Sequence, residues 1–285
     1  MRWTPGDRSN IEDLRGRSGM GMRMGAPLGI GGLLVVLLLS WVTGVDILSL
    51  LGGGGAPPSE YVGTSGRTEA SPEEERLVDL VDAVMEDAQD TWADLLGDRY
   101  RETRAVLFRD AIQSTCGFAQ SATGPFYCPA DGKVYLDLGF FDELHTRFGA
   151  PGDFAQAYVL AHEVGHHVQA VLGIESRVRS QQATSPSARN ELSVRMELQA
   201  DCFAGVWGHA ANKSGRAGDR VALDPDDFHE GITAAAAIGD DRIQREQTGR
   251  VSPDRFTHGS SQQRVEWFRR GFESGNPDAC NTFGQ

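Results

Sequence analysis

Residues 158–173, YVLAHEVGHHVQAVLG, carry two histidines four positions apart, His162 and His166, with Glu163 directly after the first. Side chains four apart on a helix leave the same face about one turn from each other, so both imidazoles can grip one ion. Glu163 flanks that face and can take a proton from a water on the ion without itself being a ligand. A catalytic zinc needs a third protein ligand and an open fourth position. Residues 190–209, NELSVRMELQADCFAGVWGH, offer Glu197, followed four positions later by Asp201. Met196, Ala200, Phe203, Ala204 and Trp207 crowd around that pair, which argues against an acidic solvated face. Two carboxylates are costly to bury without cations. An ion with its histidines removes the difficulty: Glu197 binds the ion, and Asp201 accepts the second ring N–H of a ligand histidine and sets its tautomer.

That constellation predicts Zn2+ held by His162, His166 and Glu197, although spacing alone also admits another divalent ion. Zinc lowers the pKa of a bound water towards about 7. Glu163 would then serve as general base while the water attacks a carbonyl, and would later protonate the leaving amine. The developing oxyanion needs a further donor, for which His258 in Phe256-Thr257-His258-Gly259 is the candidate.

The motifs HEVGHH and ELQADCFAG resemble those of the gluzincin metallopeptidases, specifically the bacterial neutral zinc metallopeptidase family. The opening MRW…SNIEDLRG, the stretch GPFYCPADGKVYLDLGFFDEL, the segment IGDDRIQ and the late PDRFTHGSSQQRVEWF extend the resemblance over nearly the whole chain. ELQAD is also similar to the E-x-x-A-D motif of the CAAX prenyl protease and heat-shock membrane proteases. There the Glu is the third zinc ligand and the Asp lies behind the histidines, which implies the same roles for Glu197 and Asp201. The late Thr-His-Gly…Arg264 pattern is similar to a Thr-His-Pro…Arg pattern in those relatives. They cross the membrane several times, so their substrates do not transfer to this chain.

The elements that must hold these residues begin at Ser71-Pro72-Glu73-Glu74, where Ser71 can N-cap, Pro72 suits the first helical position and Glu74 completes a capping box. Leu77, Leu80, Val81, Val84, Met85, Ala88, Trp92 and Leu95 follow at helical spacing up to a stop at Gly97. Residues 105–108, 125–128 and 133–138 read as strands, the last a candidate edge strand for an extended peptide. Helical patterns cover FFDELHTRF, residues 153–172, 190–209 and 226–245, while 176–189 reads as a loop or an interrupted helix. His167 is expected behind the site or at the surface, and His145, His209 and His229 are expected to be structural. The predicted fold is α+β, a zincin-like domain over residues 71–285, with an N-terminal single transmembrane helix.

The helix in question is residues 24–45, MGAPLGIGGLLVVLLLSWVTGV, which carry no charge. About 22 residues at a rise of about 1.5 Å suffice to cross a bilayer core. Arg2, Arg8, Arg15, Arg17 and Arg23 precede the run, which by the positive-inside rule places residues 1–23 in the cytoplasm as a basic tail. Residues 46–70 are Gly/Pro/Ser-rich and read as a tether, with the catalytic domain outside the cell membrane. In that compartment the four cysteines suit two disulfides. Chain order and elimination favour Cys116–Cys128 and Cys202–Cys280, though four cysteines allow three pairings. A net charge of −13 argues against nucleic acid. The reading is therefore a membrane-anchored zinc metalloendopeptidase acting on a peptide or protein substrate, of unspecified oligomeric state. The rivals are a catalytically silent, membrane-anchored binding or scaffold protein, and a zinc hydrolase of a non-peptide amide bond.

Overall fold

Ser71 does what its place before Pro72 predicts. Its hydroxyl accepts from the backbone N–H of Glu74 at 3.2 Å, and helix α1 (Pro72–Leu96) runs on to Gly97, whose φ of +55° ends it. The reciprocal half of the expected capping box is replaced, because the Glu74 carboxylate is taken by Arg109 and Arg15. The computed structural model describes residues 1–16, 70–120, 124–213 and 220–284.

The protein is α+β. Strands β1 (Arg2–Trp3), β2 (Ile11–Asp13), β3 (Arg104–Phe108), β4 (Ala111–Ser114), β5 (Gly117–Gln120), β6 (Phe126–Cys128) and β7 (Lys133–Asp137) precede most of the helices. The main sheet has the order β2-β3-β7-β6; β2, β3 and β7 are parallel and β6 is antiparallel to β7. Residues 133–138 are therefore not at an edge. β7 lies between β3 and β6, and its residues Val134–Asp137 are buried, as expected of a strand paired on both sides. The edge is β6.

Alternation along β3 sends Ala105 and Leu107 into the helical core and Val106 and Phe108 to the other face. On that second face Cys128 and Tyr135 join them, with Ile112 of the β4–β5 hairpin packed alongside. Cys116, in the turn of that hairpin, is disulfide-bonded to Cys128, and Cys202 to Cys280, as expected from chain order.

After α2 (Gly139–Thr146) come α3 (Asp153–Val171), which carries His162, Glu163 and His166, and α4 (Ile174–Thr184). They are followed by α5 (Arg189–Asn212), the short strand β8 (Val221–Ala222), α6 (Asp227–Ala237), α7 (Asp240–Thr248) and α8 (Ser261–Ser274). The single helix expected over 226–245 is thus two, broken at Ile238-Gly239. The hairpin over 111–120 was not anticipated.

Residues 1–16 are not a detached tail. β2 pairs with β3 in the main sheet, Ile11 opposite Ala105, and β1 pairs with β8, Arg2 opposite Ala222. Met1–Gly16 and Ala70–Gln285 form one unit. Three of the five arginines that precede the uncharged run are engaged by this unit: Arg2 by Asp224 at 3.2 Å, Arg8 by Glu75 at 2.7 Å and Asp79 at 2.5 Å, and Arg15 by Glu74 at 3.1 Å and Glu75 at 2.8 Å; Arg17 and Arg23 lie outside the described residues. Residues 1–16 thus share a sheet and ion pairs with residues 70–284 and do not stand apart as a separate segment. The anchor itself, residues 24–45, lies outside the described residues, as does all of the tether but Ala70. Among the described residues no helix is long and apolar enough to cross a membrane.

With all four native cysteines in disulfides, single introduced thiols can report sidedness. In Ser9→Cys and Asp226→Cys variants, a membrane-impermeant maleimide applied to intact cells should label both positions or neither. Labelling of one alone would mean that β1 and β2 do not pair as described.

Candidate metal centre

α3 and α5 approach so closely that a Cβ on Gly165 would sit 2.9 Å from the Ala200 carbonyl oxygen and 3.1 Å from its Cα. Glycine is required there by the neighbouring backbone. The contact brings Glu197, one turn before Asp201 on α5, against the two histidines of α3. His162 Nε2 lies 3.2 Å from Glu197 Oε2, and His166 Nε2 lies 3.6 Å from Glu197 Oε1. Ligands about 2.0–2.1 Å from a tetrahedral zinc stand roughly 3.3 Å apart. One ligand atom from each of the three residues falls within 4.8 Å of the other two. The set fits zinc in number, in N/O chemistry and in spacing.

The other ring nitrogens are committed elsewhere, which leaves both Nε2 atoms to face the ion. His162 Nδ1 donates to Asp201 Oδ1 at 2.8 Å, and His166 Nδ1 donates to Gln169 Oε1 at 2.9 Å. Asp201 is fully buried. It accepts Arg264 Nε on Oδ2 and Nη2 on Oδ1, each at 2.8 Å, and the Tyr158 hydroxyl on Oδ1 at 2.5 Å. Gln169 is held in turn through Nε2, which donates to the Met196 carbonyl at 2.7 Å and to Gln199 Oε1 at 3.1 Å; Gln199 donates to the carbonyl of disulfide-bonded Cys280.

Electrostatics match this wiring. Burial disfavours a charged His162, but Asp201, with help from Glu197, outweighs it and pushes the group up to about 9. Burial likewise opposes the ionised form of Glu197, and the charges of His166 and His162 overcome it, holding the carboxylate well below its usual range. Asp201 is lowered in the same sense, its burial outweighed by Arg264 and His162.

These residues open onto a cavity of about 590 Å³, lined also by Glu163, His258, Arg264 and residues 124–127 of the edge-strand segment. The Oε2 atom of Glu163 is buried and has no hydrogen-bond partner among the described residues, an acceptor left for something in the cavity. His258 stands at the rim, its side chain 52% exposed. Its Nδ1 donates to Asp240 Oδ1 at 3.2 Å, while Asp240 Oδ2 accepts the backbone N–H groups of Thr257, His258 and Gly259. The Asp240 hydrogen bond raises the His258 pKa against the pull of burial, and the Glu197 charge adds to the rise.

The sequence profile of the family described as putative neutral zinc metallopeptidase matches residues 1–283. The chain belongs to that family. It is 48% identical to the uncharacterized protein YpfJ of Escherichia coli (strain K12), over 100% of this chain and 99% of that one. It is 45% identical to the uncharacterized protein Rv2575 of Mycobacterium tuberculosis (strain ATCC 25618 / H37Rv), over 67% of this chain and 66% of that one. No solved structure matches.

The fold brings together every site residue expected from this family member's sequence: His162, Glu163, His166, Glu197 and His258 at one cavity, with Asp201 behind His162. It adds residues not singled out before. Gln169 follows His166 by three positions, the spacing that lets it reach back to the ring. Asp240 belongs to IGDDRIQ, a motif noted only as a likeness. His167 is buried and joins α3 to the edge strand. Its Nε2 donates to the Arg101 carbonyl, so its Nδ1 accepts from the Tyr127 hydroxyl at 3.1 Å. His209 is structural, as expected, with Nδ1 donating to the Phe272 carbonyl at 2.7 Å.

Gly165→Ala should force α3 and α5 apart and weaken zinc affinity by about 10-fold or more while costing on the order of 1–3 kcal/mol of stability. Competition titration against a chelator and thermal melts measure the two effects. Unchanged zinc affinity would show that the close helix contact does not set the ligand spacing.

Proposed function

We propose that the protein is a zinc-dependent metallopeptidase that hydrolyses internal peptide bonds. The observation that carries this reading is the unpartnered Glu163 carboxylate oxygen lining the same cavity as the His162, His166 and Glu197 cluster. A structural zinc site closed by four ligands has no use for such a base. Membership of the family supports the hydrolytic assignment.

His162 and His166 through Nε2, and Glu197 through its carboxylate, would hold the ion. Bound there, zinc polarises the scissile carbonyl and brings the pKa of a water to about 7. Glu163 accepts the proton of the attacking water and passes it to the leaving nitrogen. Asp201 and Gln169 keep the two imidazoles oriented throughout. His258 donates from Nε2 to the oxygen that becomes negative, since its Nδ1 is occupied by Asp240. The free rim of β6 supports a peptide substrate over a small amide: it is an unpaired edge beside the cluster, to which an extended chain can add by main-chain hydrogen bonds.

The two disulfides favour an oxidising compartment for the whole unit, residues 1–16 included. The uncharged run 24–45 retains the composition of a membrane-contacting segment.

His162→Ala and Glu197→Ala should lose bound zinc, whereas Glu163→Gln should keep zinc and lose activity by about 10²–10⁴-fold. Metal analysis beside peptide cleavage separates these effects; equal metal loss in all three would overturn the division of roles. His258 has a raised pKa, so its charged donor form persists above the ordinary histidine value, and activity should fall as pH climbs through the raised value. Asp240→Asn removes the main cause of the rise and should move that alkaline limb of kcat/KM to lower pH. A limb that stays in place would sink the coupling.

A further inference from the structure

One wall of the cavity has no part in the chemistry described so far. Phe140, Phe148, Val159, Ile238 and Ile243 all line it, drawn from α2, the loop after it, α3, the α6–α7 break and α7. Phe148 and Val159 are nearly fully buried, whereas Phe140, Ile238 and Ile243 are only partly buried and pack against the core from the cavity side. Val159 lies one helical turn before Glu163, a distance of about 5.4 Å and comparable to the reach of a leucine or phenylalanine side chain. Ile238 adjoins Gly239-Asp240, the residues that secure His258, and its carbonyl accepts from Arg264. The apolar recess is therefore continuous with the base on one flank and the rim histidine on the other. Glu143 and Glu175 also line the cavity, paired with Arg147 and Arg179 respectively, so an acidic side chain placed against the apolar wall would lose hydration at a cost.

We infer that this recess receives the side chain next to the scissile bond, and that the preferred substrates are peptides carrying a bulky apolar residue, leucine or aromatic, at that position. The inference rests on the peptidase reading and specifies its substrate class. Burying such a side chain instead of alanine raises kcat/KM by about 10- to 100-fold.

The test uses the full chain loaded with zinc and quenched-fluorescence peptides that differ at one position: Phe, Leu, Ala or Asp. Wild type should prefer Phe and Leu over Ala by that factor on one side of the cut, with Asp poorest. Ile243→Glu and Phe140→Ala, checked by thermal melting for retained fold, should each collapse the Phe-to-Ala ratio towards one. Equal cleavage of the Phe and Ala peptides by wild type, or an intact ratio in both folded variants, overturns the inference. A second arm records N-acetyl-phenylalanine amide binding by NMR. Binding to wild type and its loss in Ile243→Glu support the recess even if no peptide is cut, in which case the peptidase reading alone fails. Absence of binding together with absence of cleavage removes both.

Discussion

A carboxylate with no access to water, Asp201, sets the terms for the rest of the molecule. Its two oxygens are shared among Arg264, Tyr158 and His162, donors from α8 and α3 meeting an acceptor on α5. A buried charge of this kind is tolerable only when every partner is present, and removing one partner typically costs about 3–5 kcal/mol. Three helices must therefore cross at close range. The sequence permits it with small residues at the crossings: Gly165 against Ala200, and Gly271 against the Cys202 backbone. The Cys202–Cys280 disulfide fastens the chain just beyond α8 to the same turn of α5.

The two histidines are oriented by different chemistry. His162 faces a carboxylate whose charge is itself neutralised by Arg264, and His166 faces the neutral amide of Gln169. A carboxylate strengthens the donor nitrogen of its imidazole more than an amide does. The ligand set is thus built with one strong and one weaker imidazole, and with Glu197 ionised by its neighbours. His258 repeats the device at the rim, where one Asp240 carboxylate both shapes the Thr257–Gly259 loop and raises the imidazole pKa. The orientation of these imidazoles is thus fixed by the protein itself.

The first sixteen residues matter for the same reason. β2 completes the parallel part of the sheet, and Arg8 and Arg15 bind the acidic first turns of α1, where Glu74, Glu75 and Asp79 gather. Negative charge at a helix N-terminus is favourable by itself, and the arginines add ion pairs to it. These arginines carry the signature that a membrane-orientation rule looks for. In the fold they answer to carboxylates of α1 that lie 59 to 71 positions away, beside the local Asp13 pair of Arg15, a partnership that no local charge count contains.

The local parts of the protein were open to reading from sequence. The i, i+4 spacing of His162 and His166, the flanking Glu163, the Glu197–Asp201 pair and the Ser71-Pro72 helix start all rest on interactions within one or two helical turns, and the family motifs extended the reading to His258. What required the tertiary structure depends on partners far apart in the chain. That β6 and not β7 is the edge strand follows from sheet order. That residues 1–16 belong to the unit that carries the His162, His166 and Glu197 cluster follows from pairing across the 53-residue segment 17–69. The helix breaks at Ile238-Gly239, where Gly239 turns extended and passes so close to Ser261 that a Cβ would lie 2.4 Å from its backbone nitrogen. Periodicity records which face of an element is buried, but it does not record against what, and here the neighbour decides the role.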